Sequence, residues 1–324
     1  MNEAGAIRSR ARARSLTGLA RSVLGPDVAA HHRRRRLVAI LALPAIVALI
    51  IGLAVGAGAG GSARHRAVVA RRGFFAAISG LAGSGTGSLA ADVQADQNAA
   101  ISKTLAYTPY VRIAGSQHRE LALTFDDGPG PYTPAVLRVL EQMHVPATFF
   151  EVGVLEQYFH VSTTQIVADG DVIGDHTQLH EPMSHLSRRD QAAQLLQETS
   201  AIGAYGAPFP RLFRPPYGLW NDTTLGLLRR YRMLMILWTV DTNDYREPGV
   251  QAIVDSAVHG GQPGAIILMH DAGGNRSETV AALPIIIRDL RRKGYKLVTV
   301  PQLLLDNPAP ANQSFTPAML GSGG

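Results

Sequence analysis

Five short clusters in this 324-residue chain combine side chains able to hold a cation or move a proton. Asp126 and Asp127 adjoin in Thr124-Phe125-Asp126-Asp127-Gly128-Pro129. Neighbouring carboxylates repel, so a cation is their natural partner, although a solvated Asp-Asp-Gly turn has the same composition. His176 and His180 stand four residues apart, which puts both imidazoles on one face wherever the loop takes a helical turn. Joined to Asp127, they make the two-imidazole, one-carboxylate set of a catalytic zinc site and leave Asp126 free as a base. Arg214, followed by Pro215-Pro216-Tyr217-Gly218, can grip a carboxylate with two hydrogen bonds, and the rigid Pro-Pro can aim a main-chain N–H at an oxyanion; a stiff surface loop is the plainer alternative. Asp241-Thr242-Asn243-Asp244-Tyr245 and Leu268-Met269-His270-Asp271 complete the set. A carboxylate beside His270 would raise its pKa and make it a general acid near neutral pH, against the alternative of a satisfied structural His. The chain has no Cys, so any metal must be held by His and carboxylate.

These clusters lie at the C-terminal ends of apolar, strand-like runs. Seven such runs are expected: Leu121–Phe125, Ala147–Gly153, Asp171–His176, Arg211–Arg214, Met233–Asp241, Ala265–Asp271 and Lys296–Val300. Helical patterns separate them, notably Pro134–Met143, Ser187–Ile202, Asn221–Tyr231 and Ser277–Gly294, with Ser187 and Ser277 as N-terminal starts and Gly294 as a C-terminal stop. Repeated strand–helix units imply a parallel sheet, either a barrel or an open doubly wound sheet, with chemistry at the C-terminal strand ends.

The net charge of +6 is unevenly placed. Residues 1–72 hold 13 Arg against two acids, leaving 18 Lys plus Arg against 23 acids from Gly73 onward. The basicity therefore belongs to the N-terminus, not to a nucleic-acid-binding face. Arg33-Arg34-Arg35-Arg36 abuts an uncharged stretch whose apolar part runs from Leu37 to about Ala57, close to the roughly 20 residues needed to span a bilayer. The reading is a basic cytoplasmic segment (1–36), a transmembrane helix (37–59), an extracytoplasmic stalk (60–118), a catalytic domain (119–306) and a disordered tail (307–324). The greater number of Arg before the span places the N-terminus inside and the remainder outside.

Taken together and in order, Thr-Phe-Asp-Asp-Gly, His-Thr-Gln-Leu-His, Arg-Pro-Pro-Tyr-Gly, Asp-Thr-Asn-Asp-Tyr and Leu-Met-His resemble the motifs of the polysaccharide deacetylases among the carbohydrate esterases, over about Leu121 to Leu305. The resemblance implies an α/β fold, a distorted seven-stranded (β/α) barrel. It implies a metal on Asp127, His176 and His180, Asp126 as base and His270 as acid. Arg214 would orient Asp126, Asp241 would tune His270, the Tyr217 N–H would stabilise the oxyanion and Leu268 would meet the acetyl methyl. Two positions depart from the pattern. Tyr245 replaces a Trp in the acetyl-pocket wall, and Asp175 replaces an Asn or Ser, adding an acid that could tighten metal binding or face solvent. The expected activity is metal-dependent removal of N-acetyl groups from an extracytoplasmic amino-sugar polymer, peptidoglycan or another N-acetylhexosamine polysaccharide. Zinc is the metal the ligand types favour, with cobalt or nickel tolerated. An O-acetyl polysaccharide esterase and a silent glycan-binding protein on the same fold are the alternatives. The lipid bilayer is the second expected partner.

Overall fold

The computed structural model describes residues 86–314. The expected basic segment, the transmembrane segment 37–59, the first part of the stalk and residues 315–324 lie outside the described residues. Among the described residues no helix is long and apolar enough to cross a membrane.

All seven expected runs form strands. They are β2 (Glu120–Gly128), β3 (Thr148–Glu151), β4 (Val172–Asp175), β5 (Leu212–Phe213), the pair β6 (Leu234–Ile236) and β7 (Val240–Asp241), β8 (Ile266–His270) and β9 (Lys296–Leu297), preceded by β1 (Tyr110–Val111). The order is β1-β6-β5-β4-β3-β2-β8-β7, with β9 beside the start of β2, and every pairing is parallel. The sequence run Met233–Asp241 splits because it changes neighbours: Leu237 N–H donates to the Val111 carbonyl, and Thr239 N–H to that of Ile266. One continuous segment thus supplies strands near both edges of the sheet, which curls into an incomplete barrel consistent with a (β/α) barrel.

Helices α1 (Thr86–Leu105), α2 (Thr133–Met143), α3 (Glu156–Asp169), α4 (Arg188–Gly203), α5 (Asp222–Tyr231), α6 (Val250–Gly260), α7 (Ser277–Arg292) and α8 (Val300–Asp306) connect and cover it. Ser187 caps α4 by accepting the Asp190 N–H, and Asn221 caps α5 in a reciprocal pair with Thr224. Ser277 instead begins α7 without a side-chain cap, while Gly294 takes the left-handed conformation (φ 83°) that stops it.

Strand alternation sorts the core. Leu121, Leu123 and Phe125 pack outward with Val136, Leu137 and Leu140 of α2 and Leu283, Ile286 and Ile287 of α7. Ala122 of β2 instead joins Phe150, Leu234 and Ile266, together with Ile101 of α1 and Leu303 and Leu304 of α8. Truncating a buried Leu or Ile here would cost about 2–5 kcal/mol.

Two expected boundaries move. The second half of the stalk belongs to the fold: Ile101, Val111 and Ala114 are buried with the core, and β1 pairs with β6. The start of the tail is also tied down, because Asn307 reaches Glu120 and the His118 N–H, and Gln313 accepts the N–H groups of Arg112 and Ile113.

Candidate active site

The site builds from β2. Strand alternation would send Asp126 and Asp127 to opposite faces. The register against β3 shifts between Asp126 and Gly128, and Asp127 adopts φ 72°, so both carboxylates reach one cavity. Gly273, with φ 74°, lies so near the Asp127 carboxylate that a Cβ would collide with it. His176 and His180 follow β4, but their loop is not a helical turn: Thr177 (φ 73°) and His180 (φ 57°) are left-handed. Asp175 holds this bend by accepting the Thr177 N–H at 2.8 Å, and the Thr177 hydroxyl accepts the His180 N–H at 2.9 Å. The expected convergence of the imidazoles therefore holds, by a different backbone route.

Donor atoms of Asp127, His176 and His180 all lie within 4.8 Å of one another. The Asp127 Oδ1 is 3.0 Å from His180 Nε2 and 3.5 Å from His176 Nε2. His176 Nδ1 is 2.7 Å from the Arg214 carbonyl, which can only accept, so Nδ1 carries the hydrogen and Nε2 faces the cluster with a lone pair when the ring is neutral. His180 Nδ1 lies 3.1 Å from the Tyr217 hydroxyl. Burial alone would raise the Asp127 pKa, but hydrogen bonds with His176 and His180 hold it well below the usual carboxylate range. This set fits a divalent cation: two imidazole nitrogens and one carboxylate, whose lone pairs a cation would take in place of the protons they now share, with an open cavity beside them.

Asp126 is buried opposite Arg214, whose Nη1 donates to its Oδ1 at 2.6 Å. Arg214 also donates to the Thr124 hydroxyl and to the carbonyls of Ile236 and Leu237, where the β6–β7 run breaks, and lies over the Phe150 ring at 4.1 Å. It thus orients one carboxylate while satisfying buried main-chain acceptors.

His270 lies opposite Asp126 in the β2–β8 register. Its Nδ1 is 2.7 Å from Asp244 Oδ1, and its main-chain N–H donates to Asp244 Oδ2 at 2.8 Å. The Thr279 hydroxyl holds the same Oδ2 at 2.7 Å. Burial works against the charge on His270, but the carboxylates of Asp244, Asp127 and Asp126 together outweigh it, and the pKa stands at about 9. Asp244 therefore makes the hydrogen bonds to His270, while Asp241, expected to tune it, acts on the imidazole through charge alone. Asp241 lines the cavity and accepts the Asn243 N–H at 2.8 Å, with its pKa raised chiefly by burial. A tight turn that puts Asn243 at φ 54° carries the chain past Asp241 and brings Asp244 under the imidazole.

The cavity, of about 490 Å³, is lined by all these groups together with Tyr217, Tyr245, Leu268, Trp238 and Arg276. Tyr217 has φ 58° and is exposed, and its main-chain N–H is not among the donors used in its turn. The Tyr245 ring stands edge-on to His270 with centroids 5.3 Å apart, and its hydroxyl reaches Asn243.

The family model for polysaccharide deacetylase matches residues 114–236. A peptidoglycan-N-acetylglucosamine deacetylase of Bacillus cereus is 38% identical over 187 residues, covering 57% of this chain and 87% of that protein. The chain belongs to the polysaccharide deacetylase family. A chitooligosaccharide deacetylase of Sinorhizobium fredii is 36% identical over 212 residues, 62% of this chain and 99% of that one. The crystal structure of the Bc1960 peptidoglycan N-acetylglucosamine deacetylase superposes with a TM-score of 0.60 at 29% identity, covering 64% of this chain and 97% of that one.

In this polysaccharide deacetylase every residue expected to have a catalytic, metal-holding or substrate-binding role lines the cavity except Arg214, which stands behind Asp126. Asp244, Thr279, Gly273 and Arg276 also belong to the site and were not among the expected residues. Only Asp244 carried a signal, as the second acid of its motif. Asp175 neither faces solvent nor joins the cation cluster: it is buried, and burial raises its pKa to about 7 beside the equally buried Glu198.

Proposed function

We propose that this chain is a metal-dependent N-deacetylase acting on an extracytoplasmic amino-sugar polymer, peptidoglycan or a related N-acetylhexosamine polysaccharide. One observation carries the reading: an Asp–His–His cluster, an arginine-held carboxylate and a carboxylate-held imidazole converge on one cavity. Asp127, His176 and His180 are the residues that would hold the cation, with zinc favoured by ligand type. Bound there, it supplies positive charge that polarises the amide carbonyl and acidifies water. Asp126, oriented by Arg214, takes the proton from the attacking water. The Tyr217 N–H donates to the oxyanion as the carbonyl carbon becomes tetrahedral. Leu268 and the ring of Tyr245 wall the space left for the acetyl methyl. Protonated His270, held by Asp244, gives its proton to the departing sugar nitrogen, and acetate is released. That acid also favours an amide substrate over an ester, since an amine leaves only when protonated.

The extracytoplasmic placement rests on the Arg-flanked apolar stretch 37–59, which would anchor the chain in a membrane with residues 1–36 inside. The test is acetate release by the full chain, in detergent, from N-acetylglucosamine oligomers and peptidoglycan, with chelator and then with zinc restored. Release that stops with chelator, returns with zinc and is lost in Asp126→Asn, by about 10²–10⁴-fold, is expected. Chelator-insensitive release would overturn the metal-dependent reading, and silence of the folded, zinc-loaded protein on both substrates would overturn deacetylation.

A further inference from the structure

Two guanidinium groups are buried at this site, and their surroundings differ. Arg214 has Asp126 at 2.6 Å. Arg276, only 3% exposed yet part of the cavity lining, has no acid partner among the described residues. Its hydrogen bonds go to neutral acceptors: Nε to the Ala272 carbonyl at 2.8 Å and Nη1 to the Asn275 carbonyl at 2.9 Å. Of the five N–H donors of a guanidinium, these bonds leave three, including both on Nη2. The carboxylates that line the same cavity have other engagements, Asp126 with Arg214, Asp127 with the two imidazoles and Asp241 with the Asn243 N–H. A buried cation without a counter-charge is costly to keep unless an anion arrives to meet it.

We propose that Arg276 is a substrate-recognition residue that receives a carboxylate on the glycan, so that this site favours an acidic amino-sugar polymer over a neutral one. The donors left on Arg276 match a carboxylate better than a hydroxyl, because the planar fork can give two parallel N–H bonds. Among amino-sugar polymers this chemistry corresponds to a lactyl-substituted sugar whose carboxylate is free, as in peptidoglycan strands stripped of their stem peptides, because an attached peptide converts that carboxylate to an amide. The inference deepens the deacetylase reading and rests on it for the identity of the ligand. A purely structural Arg276, tying down the Ala272–Asn275 loop that carries Gly273, would affect all substrates equally.

The test compares muramyl-containing glycan tetrasaccharides with the same compounds after reduction of the lactyl carboxylate to an alcohol. Both kcat/KM for acetate release and Kd by calorimetry are measured, using the full zinc-loaded chain and its Arg276→Gln and Arg276→Lys variants. The wild type is expected to favour the carboxylate form about tenfold in both quantities, the scale of one charge-assisted contact. Arg276→Gln should bring the ratio to about one, with Arg276→Lys between. A wild-type ratio near one, or a ratio that survives in Arg276→Gln, overturns the proposal even if acetate is released. Absence of acetate release with the tenfold Kd ratio intact and lost in Arg276→Gln would overturn the deacetylase reading and support this one.

Discussion

His270 shows how a residue's role is set by what stands behind it. With a pKa of about 9, it carries its proton throughout the neutral range, as the proposed role of general acid requires. Asp244 is the largest force keeping that proton in place, and its own pKa is lowered, against burial, by the charge on His270. Deacetylation should therefore fall on an alkaline limb at or below pH 9, since a cation on Asp127 offsets that residue's share. In Asp244→Asn the limb should move toward neutral pH and kcat should drop about 10²-fold. Asp241→Asn should do less, because Asp241 makes no hydrogen bond to the imidazole. A pH–rate profile unchanged in Asp244→Asn would show that another group sets the limb.

At the level of elements, the fold begins earlier than its motifs. Helix α1 and strand β1 bury Ile101 and Val111, at 1% and 0% exposure, against the rest of the core. A chain beginning at Arg119 should lose several kcal/mol, on the scale of about 2–5 kcal/mol for each large core side chain removed, and melt well below one beginning at Gly73. Equal melting temperatures would show that α1 is dispensable. Nothing in the composition of Thr86–Leu105 announced this. Its Ala, Ser and Gln content is that of a linker, and only the partner surface on α8 and β6 reveals which face is apolar. The break between β6 and β7 was equally hidden. Met233–Asp241 reads as one buried strand because each half is buried, while the change of neighbour at Leu237–Thr239 depends on curvature of the whole sheet.

Across the molecule, buried acids set how stability varies with pH. Burial raises Asp171, Asp175 and Asp271 each to about 7, and Glu151 and Glu198 well above the usual range. For such groups the folded state keeps a proton that the unfolded chain releases above about pH 4. Their contribution is full below that pH, declines as pH rises and is lost once each folded pKa is passed. Asp127 and Asp244 act oppositely, through lowered pKa values that withdraw stability as pH falls through them. The metal-free protein should therefore show a falling denaturation midpoint from pH 5 to pH 7.5, and Asp171→Asn, remote from the cavity, should reduce that slope. A midpoint flat across this window would contradict the raised values.

The residue types and their spacing were enough to determine the parallel α/β architecture and the seven principal strands, and the order of the motifs, through the family they resemble, pointed to most of the groups that meet at the cavity, because strand periodicity and motif order are local properties of the chain. What the tertiary structure decided was orientation. The bulge at Asp127 lets two successive carboxylates share a face, a tight turn hands the His270 contact to Asp244, and sheet curvature divides one apolar run into two strands. Arg276, an ordinary charge in sequence, becomes a buried cation without an acid partner among the described residues only when its loop is folded against the cavity. Each of these depends on packing between segments far apart in the chain, and periodicity within one segment carries no record of it.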